Sequence, residues 1–412
     1  MLGSEPQRYK VRFPDPEGLQ ASEAIESPLV TVPVRNVRRR FLSVATLPEV
    51  LLARQGEEDE LKHQLDDQLT TYVRDYGAEV VEDVRYDLEE AEDGFALPVA
   101  PEVPDSASLD DVLDLIHARD AWATSRGEGV VIAIVDTGVN GARPEFPQDK
   151  RRGQWAPQGL DPWVDDVGHG TMCACIACGT RQDGGAFDGV APDAGLISCR
   201  TRFFDSEVVT LYDYLTDFAT EHSDVALVAS NSFGRKTGQP PAAPPDNDLA
   251  DALTDAVAAG VVICFSAGNY HDLAGGDPDA CAPTSIWLHK CRADVLTVAT
   301  SRPDGTMWFY SSRGPGQFDG QPNMRSKPDV TAPTPPDGRV VYGDDIRSLP
   351  DGWGTSGACP QVAGLAALLL GNQRATPETV RDAIRATAVS LGHWATCEGE
   401  GLIHCQAAVE AF

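Results

Sequence analysis

The middle and C-terminal parts of the chain alternate between short apolar runs and longer segments with helical periodicity. Five apolar runs have the length and composition of strands that are buried on both faces: VVIAIV (130–135), GLISCRT (195–201), ALVASNS (226–232), VVICFSA (261–267) and VLTVAT (295–300). Helical patterns lie between or after these runs, at about residues 169–179, 208–220, 247–259, 356–370 and 377–387. The alternation predicts an α/β fold in which a parallel sheet carries helices on both faces.

The N-terminal part has a different pattern. Residues 1–36 are Pro-rich and polar, which predicts an extended or loosely ordered segment. Residues 37–95 predict a small α+β unit, and the Pro-containing acidic stretch 96–108 predicts an exposed linker to a larger domain at 109–412.

The elements of the small unit follow from its periodicity. RRFLSVATL (39–47) is typical of a strand, residues 57–77 form an amphipathic helical pattern, and AEVVEDVRYDLE (78–89) predicts one or two strands.

The charge of the chain limits its partners. Asp and Glu outnumber Lys and Arg by 63 to 33, for a formal net charge of −30. Such a surface repels nucleic acid and anionic membranes, so neither is an expected partner. The N-terminus lacks an apolar signal region and no apolar run reaches 18 residues, from which we predict a cytoplasmic protein.

The ten cysteines are expected to be mostly reduced in that compartment. Cys173, Cys175 and Cys178 point to different faces of a predicted helix, so we predict no metal site there. Two pairings are compatible with the spacing but not shown by it: Cys281 with Cys291, and Cys397 with Cys405.

Three short motifs carry residues suited to acyl transfer. Asp136 follows a buried strand in VVIAIVDTGV, His169 lies in DVGHGTMCA, and Ser356 lies in GWGTSGACPQVAG. A Ser hydroxyl becomes nucleophilic when an imidazole removes its proton, and a carboxylate holds the imidazole in the required tautomer. The motifs therefore predict a Ser nucleophile, a His base and an orienting Asp.

These motifs, in their order and spacing, resemble those of the subtilisin-like serine peptidases across about residues 109–412. The Ser motif departs from the family pattern GTSMATPHVAG at Gly357, Cys359 and Gln361, and the His motif departs at Met172, Cys173 and Cys175. None of these departures removes a catalytic group. The resemblance implies a subtilisin-like fold and a serine endopeptidase that cleaves through an acyl-enzyme on Ser356.

The resemblance also implies further site residues. Asn269, in SAGN (266–269), matches the oxyanion-hole Asn of the family, together with the Ser356 N–H. The segment Ser232, Phe233 and Gly234 matches the strand that pairs with an extended polypeptide substrate, and Phe233 is bulkier than the usual Leu. The remaining residues expected to bind substrate are Ser266, Ala267 and Gly268.

Two further expectations follow from the family. The 37–95 unit has the size and element order of a subtilase pro-domain, which would be an intramolecular partner; an unrelated accessory domain is the alternative. Calcium commonly stabilises the family, and Glu145 and Asp183 fall near its usual site. Because the 180–187 loop has few oxygen donors, surface carboxylates are the preferred interpretation, and no cofactor or metal is predicted.

Two other functions remain open. A catalytically silent peptide-binding scaffold would keep the same fold, and a peptide ligase or cyclase would use the same acyl-enzyme with an amine in place of water.

Overall fold

The N-terminal part of the chain forms a small α+β unit. The computed structural model describes residues 8–25, 30–46, 58–88, 107–242, 246–317 and 326–412. The elements of the unit are β1 (Arg8–Arg12), α1 (Pro16–Ala21), a 3₁₀ turn (Ser22–Ile25), β2 (Val30–Asn36), β3 (Phe41–Thr46), α2 (Glu58–Tyr76) and β4 (Glu79–Glu82). The four strands form an antiparallel sheet in the order β2–β3–β1–β4.

The packing of this unit explains its helix. Leu65, Leu69 and Tyr72 follow one another at spacings of four and three residues, so they share one face of α2. That face packs on Val11 and Leu42 of the sheet, and together they form a separate apolar core.

The predicted loose segment at residues 1–36 needs correction. Residues 8–12 and 30–36 are strands β1 and β2, so the small unit begins well before residue 37. Arg8 and Lys10 are buried in β1, at 6% and 1% exposure, because they pair with carboxylates elsewhere in the protein. Because two buried positions of β1 carry charged residues, this strand does not show the apolar alternation by which strands are predicted from sequence. Residues 96–106 of the predicted linker lie outside the described residues.

The larger domain is built on a seven-stranded sheet. Its strands are β6 (Val130–Asp136), β7 (Arg151–Trp155), β8 (Gly195–Arg200), β9 (Ala226–Asn231), β11 (Val262–Ser266), β12 (Leu296–Ser301) and β13 (Val330–Pro333). They are all parallel, in the order β13–β12–β11–β9–β6–β8–β7. The predicted fold class is therefore confirmed. Strands β7 and β13 were not among the predicted runs.

Helices cover both faces of the sheet, as the apolar runs predicted. The helices are α3 (Leu109–Leu115), α4 (Ala118–Ala121), α5 (His169–Cys178), α6 (Asp205–Glu221), α7 (Asp248–Ala258), α8 (Gly354–Asn372), α9 (Pro377–Ala386), α10 (Ala395–Glu398) and α11 (Cys405–Ala411). Along β6, Ile132 and Ile134 join the core beneath α5 and α8, whereas Ala133 and Val135 join the core beneath α6 and α7. The alternation of side chains along a strand divides the interior into two apolar layers.

Two small strand pairs lie outside the main sheet. A hairpin consists of β14 (Gly338–Tyr342) and β15 (Asp345–Leu349). A two-residue strand β5 (Asp87–Leu88), at the end of the N-terminal unit, pairs antiparallel with β10 (Phe233–Gly234) of the larger domain. The chain that leaves the small unit therefore lies directly on the strand predicted to bind substrate.

Buried charges attach the N-terminal unit to the larger domain. The Lys10 ammonium lies 2.7 Å from Asp205, 2.8 Å from Asp246 and 3.2 Å from Asp248. Burial alone lowers the pKa of Lys10, but the three carboxylates outweigh it and raise the pKa above its usual value. Lys10 therefore stays charged at neutral pH.

A second group of contacts surrounds the start of α6. Arg8 lies 2.8 Å from Glu207 and 2.9 Å from Asp83. Asp83 accepts a hydrogen bond of 2.9 Å from the Ser206 N–H in the first turn of α6, where backbone donors lack partners within the helix. We call Asp205, Glu207, Asp213, Asp246 and Asp248 the acidic docking face.

The cysteines differ from the expected pairings. Cys281 forms a disulfide with Cys397, across 116 residues of sequence, so the expectation of reduced thiols does not hold for these two. Cys291 and Cys405 are buried, and the two expected pairings are not formed. The partners are brought together by the tertiary fold, which short spacings could not reveal. Within the described residues, no helix has the length and apolar character that crossing a membrane requires.

Candidate active site

Asp136 is the last residue of β6, at the carboxyl edge of the sheet. Its side chain is 1% exposed, and Oδ1 accepts a hydrogen bond of 2.8 Å from the Thr137 N–H. The same oxygen lies 2.8 Å from His169 Nδ1. Loops at this edge of a parallel sheet commonly carry functional groups, and the carboxylate fixes the orientation of the imidazole.

His169 is the first residue of α5, between two glycines that the backbone requires. Gly168 has φ +98°, and a Cβ there would lie 2.6 Å from the Tyr342 ring. A Cβ at Gly170 would collide with the Gly138 carbonyl. The glycines allow the helix start to approach both the β14 strand and the turn after Asp136.

The electrostatics of His169 favour its charged form. Burial lowers the pKa of the imidazole, but the Asp136 carboxylate and the Cys173 sulfur outweigh that effect and raise the pKa well above its usual value. The second ring nitrogen, Nε2, is buried and has no hydrogen-bond partner among the described residues. A buried nitrogen that has no partner is suited to exchanging a proton with a bound reactant.

Ser356 lies in the first turn of α8. Gly354, at the helix start, has φ +65°, and Ser356 is fully buried. Cys173 Sγ lies 3.5 Å from the Ser356 carbonyl oxygen and 3.9 Å from His169 Nδ1, so one sulfur contacts both residues. The contacts of Cys173 thus link the His169 ring, which Asp136 contacts, to the backbone of Ser356.

Asn269 follows β11 and is held by the residue before Ser356. Its Oδ1 accepts hydrogen bonds from the Thr355 N–H at 3.0 Å and from the Thr355 hydroxyl at 2.9 Å. These bonds fix which end of the side-chain amide is oxygen, and they turn the NH₂ group away from Thr355.

The predicted substrate-binding residues occupy two kinds of position. Phe233 and Gly234 form β10, which pairs with β5, and the Ser232 hydroxyl lies 3.3 Å from the Ser356 carbonyl oxygen. Ser266 and Ala267 are fully buried within the sheet, and Ala267 N–H donates to Val298.

Gly268 has φ +111° and donates its N–H to the Thr355 hydroxyl at 3.2 Å. Its role in this arrangement is to turn the chain towards Asn269.

Comparisons with known proteins agree with this geometry. The family model described as the subtilase family, peptidase S8, matches residues 127–401, more than half of the chain. The chain belongs to the subtilase family. Its membership confirms the resemblance inferred from the three motifs.

Named relatives extend this result. Serine protease AprX of Bacillus subtilis (strain 168) is 28% identical over 327 residues, which cover 68% of this subtilase and 66% of AprX. Thermitase of Thermoactinomyces vulgaris is 28% identical over 301 residues, which cover 72% of this chain and 94% of thermitase. The chain thus spans slightly less than two thirds of AprX and nearly all of thermitase.

A solved structure shares the fold. The crystal structure of MycP1 with the N-terminal propeptide removed has a TM-score of 0.53 and 23% sequence identity. The match covers 72% of this subtilase and 96% of MycP1.

The region of the expected calcium site does not fit a cation in this subtilase. Glu145 is fully buried, which corrects its interpretation as a surface carboxylate. Its carboxylate lies 2.9 Å from the Arg143 guanidinium and accepts a hydrogen bond of 2.7 Å from the Ala186 N–H. Because a guanidinium already neutralises this carboxylate, the donor set lacks the negative charge that calcium requires.

Sequence reasoning missed a carboxylate that shapes the site. Asp165 accepts hydrogen bonds from the Thr137 hydroxyl, the Gly168 N–H and the Thr171 N–H, each at 2.8 Å. It therefore ties together the segments that carry Asp136 and His169. The only sequence signal is an Asp four residues before the His, which is too common to be informative.

Residues 205–207, at the start of α6, lie beneath the N-terminal unit and not at the active site. There Asp205 accepts a hydrogen bond of 2.8 Å from the Tyr86 hydroxyl. Burial raises the pKa of Asp205, while Lys10 opposes that shift.

Proposed function

We propose that this subtilase is an active serine endopeptidase that uses Asp136, His169 and Ser356. The observation that carries the proposal is the buried 2.8 Å contact between Asp136 and His169 Nδ1, beside a helix start that holds Ser356. With Nδ1 held by Asp136, Nε2 is the nitrogen that can accept the proton of the Ser356 hydroxyl.

The reaction then proceeds in two stages. Ser356 Oγ forms a bond to the carbonyl carbon of a peptide while its proton moves to His169 Nε2. The carbon–nitrogen bond breaks as Nε2 returns that proton to the leaving amine, and an acyl-enzyme remains. Water then attacks the ester carbonyl as Nε2 takes its proton; the ester bond breaks as Nε2 returns that proton to Ser356 Oγ, and the carboxylic acid product is released.

We assign two donors to the oxyanion. The first turn of a helix presents N–H groups without intrahelical acceptors, and the Ser356 N–H belongs to that turn. The Asn269 NH₂, oriented by the two bonds from Thr355, supplies the second donor.

We further propose that a polypeptide substrate binds as a strand antiparallel to β10. The pairing of β5 with β10 supports this mode, since it already places an extended segment there. By the same contact, the N-terminal unit acts as a pro-domain that covers the substrate strand.

The test is covalent labelling of the nucleophile. A fluorophosphonate probe should label the purified full chain at Ser356, and the protein should cleave an unfolded polypeptide. The variant Ser356→Ala should lose both properties, whereas Ser223→Ala, an exposed control, should keep both. Labelling at another residue, or cleavage that survives Ser356→Ala, would contradict the proposal.

A further inference from the structure

A buried lysine next to the active site has no role in the mechanism above. Lys290 is 4% exposed and lines a cavity together with Phe233 and Gly234 of the substrate-binding strand. Tyr270, the residue after Asn269, lines the same cavity. The cavity therefore lies between the strand that pairs with substrate and the segment that carries the oxyanion donor.

The residue types around the cavity differ from those of the protein as a whole. The chain has almost twice as many acidic as basic residues, 63 against 33. Yet the ten described residues around the cavity include Arg235, His289 and Lys290, and none of the ten is acidic. Burial lowers the pKa of His289 to about 3, so Lys290 is the buried amine that an acidic ligand could charge.

The surroundings of Lys290 favour such a ligand. Its ammonium lies 5.4 Å from the centroid of the Tyr270 ring. Burial lowers the pKa of Lys290 well below its usual value, and the Cys359 and Cys291 thiols only partly oppose this. A carboxylate that enters the cavity would form a charge-assisted hydrogen bond with this amine and would favour its charged form.

The register of the β5–β10 pair identifies the substrate position. Leu88 stands opposite Phe233, and Asp87 stands opposite Gly234. In an antiparallel pair, the residue after Leu88 in a bound peptide would therefore stand opposite Ser232, whose hydroxyl lies 3.3 Å from the Ser356 carbonyl oxygen. The proposal therefore assigns to that residue the carbonyl that Ser356 attacks.

The protein's own sequence has the matching charge. The segment that starts with β5 reads DLEEAED (87–93), with five acidic residues among seven. The Asp87 carboxylate is close enough to Tyr270 for its charge to contribute to raising the pKa of that phenol. The Asp87 carboxylate of the chain itself thus already approaches this cavity.

We propose that this subtilase selects an acidic residue, Glu before all others, on the N-terminal side of the scissile bond, with Lys290 as the specificity-determining residue. The inference rests on the proposed endopeptidase function and adds the substrate class to it.

The test uses four matched fluorogenic peptides with the purified full chain. Each peptide is acetyl-Tyr-Asp-Leu-X-aminomethylcoumarin, which repeats the sequence of residues 86–88, with Glu, Gln, Leu or Lys as X. We expect kcat/KM for Glu to exceed that for Gln by about tenfold or more, since a charged hydrogen bond replaces a neutral one. The Lys peptide should be the poorest substrate.

Variants assign the preference to Lys290. Lys290→Met keeps the length of the side chain without its charge, and Lys290→Gln keeps a polar end. Both should bring the Glu-to-Gln ratio close to one, whereas the exposed control Lys62→Met should leave the ratio unchanged. Fluorophosphonate titration of Ser356 counts the active molecules, so that misfolded protein does not affect the ratio.

The outcomes separate the two proposals. Labelling and cleavage without a preference for Glu would overturn the specificity and leave the endopeptidase function intact. A Glu preference that persists in both Lys290 variants would overturn the role of Lys290. Absence of both labelling and cleavage in the wild-type protein would overturn the endopeptidase function and, with it, this inference.

Discussion

The active site and the acidic docking face are held together by different kinds of interaction. Asp136, His169 and Ser356 lie at the ends of elements fixed by two apolar layers, and a few hydrogen bonds complete their positions. The N-terminal unit is instead attached by buried ion pairs of Arg8 and Lys10, beside apolar contacts of its Val34, Phe41 and Tyr86. Buried ion pairs cost desolvation free energy and are weak evidence for stability, but removing one partner is strongly destabilising. Loss of a charged side chain should therefore leave the fold of the active site intact, whereas it should destabilise the attachment of the N-terminal unit.

The largest expected effect is on catalysis. Asp136→Asn should lower kcat/KM by about 10⁴-fold, because the amide favours the wrong tautomer of His169. The N-terminal unit should stay attached, which hydrogen exchange of β1 to β4 would verify. Detachment of the unit in this variant would show that the two regions are not independent.

The pH profile sharpens this prediction. The mechanism needs neutral His169, and its raised pKa places the acid limb of kcat/KM above 6.5, the usual value. Protonation of His169 also stabilises the fold, and this contribution falls with rising pH, whereas kcat/KM rises. It is fully present below the unfolded-state pKa and is lost as pH rises through the folded-state pKa. An acid limb below the usual value would contradict the described pairing with Asp136.

The next effect concerns the docking face. Lys10→Met leaves Asp205, Asp246 and Asp248 without their shared ammonium, and we expect a loss of about 3–5 kcal/mol in the stability of the attached unit. Hydrogen exchange in a Ser356→Ala background, where self-cleavage is absent, measures this loss. The exposed control Lys62→Met should change it by less than about 0.5 kcal/mol. If Lys10→Met behaved like its control, apolar contacts alone would hold the unit.

A smaller effect is expected from a neutral contact with the same face. Asn36 donates hydrogen bonds to Asp213 at 2.7 Å and to Thr210 at 3.1 Å. Asn36→Ala should destabilise the attached unit by about 1.5–3 kcal/mol, the usual cost for a bond to a charged group. Gln20→Ala, an exposed amide on α1, is the matched control, and equal effects of the two changes would refute a role for Asn36 in docking.

The smallest effect is expected from chelation of calcium. Because Arg143 already neutralises Glu145, EDTA should shift the Tm of the Ser356→Ala protein by less than about 2 °C. If the Arg143 guanidinium takes the place of a bound cation, the stability of the Arg143→Met protein should depend on added cations. A large shift of the wild-type protein with EDTA would reveal a calcium site elsewhere in the chain.

The sequence predicted the parts of the fold that depend on local pattern. The runs 130–135 and 295–300 correspond to β6 and β12 within one residue, because strands buried on both faces must be apolar. β7, with the sequence RRGQW, is half exposed at the sheet edge and has no such pattern. β1 was missed for a different reason, since its buried Arg8 and Lys10 are paired across the docking face.

The residues of the active site likewise fall into those that the sequence predicted and those that it could not. Asp136, His169, Ser356 and Asn269 lie in short motifs whose glycines and helix starts are visible in the sequence. Asp165 and the contact of Cys173 with both His169 and Ser356 depend on distances between separate elements, which no spacing encodes. The charge of the Lys290 cavity likewise arises only when β10 and the segment after Asn269 come together.

The β5–β10 pairing has a consequence for how the protein competes with its own substrates. A tethered segment faces its binding strand at an effective concentration on the millimolar scale, whatever the dilution of the protein. A free peptide at micromolar concentration would therefore lose to the tether while the chain is continuous. A single cut in the tether would turn that internal competitor into an ordinary ligand that dissociates on dilution, so turnover should begin with a lag that shortens once the first molecules have been cut.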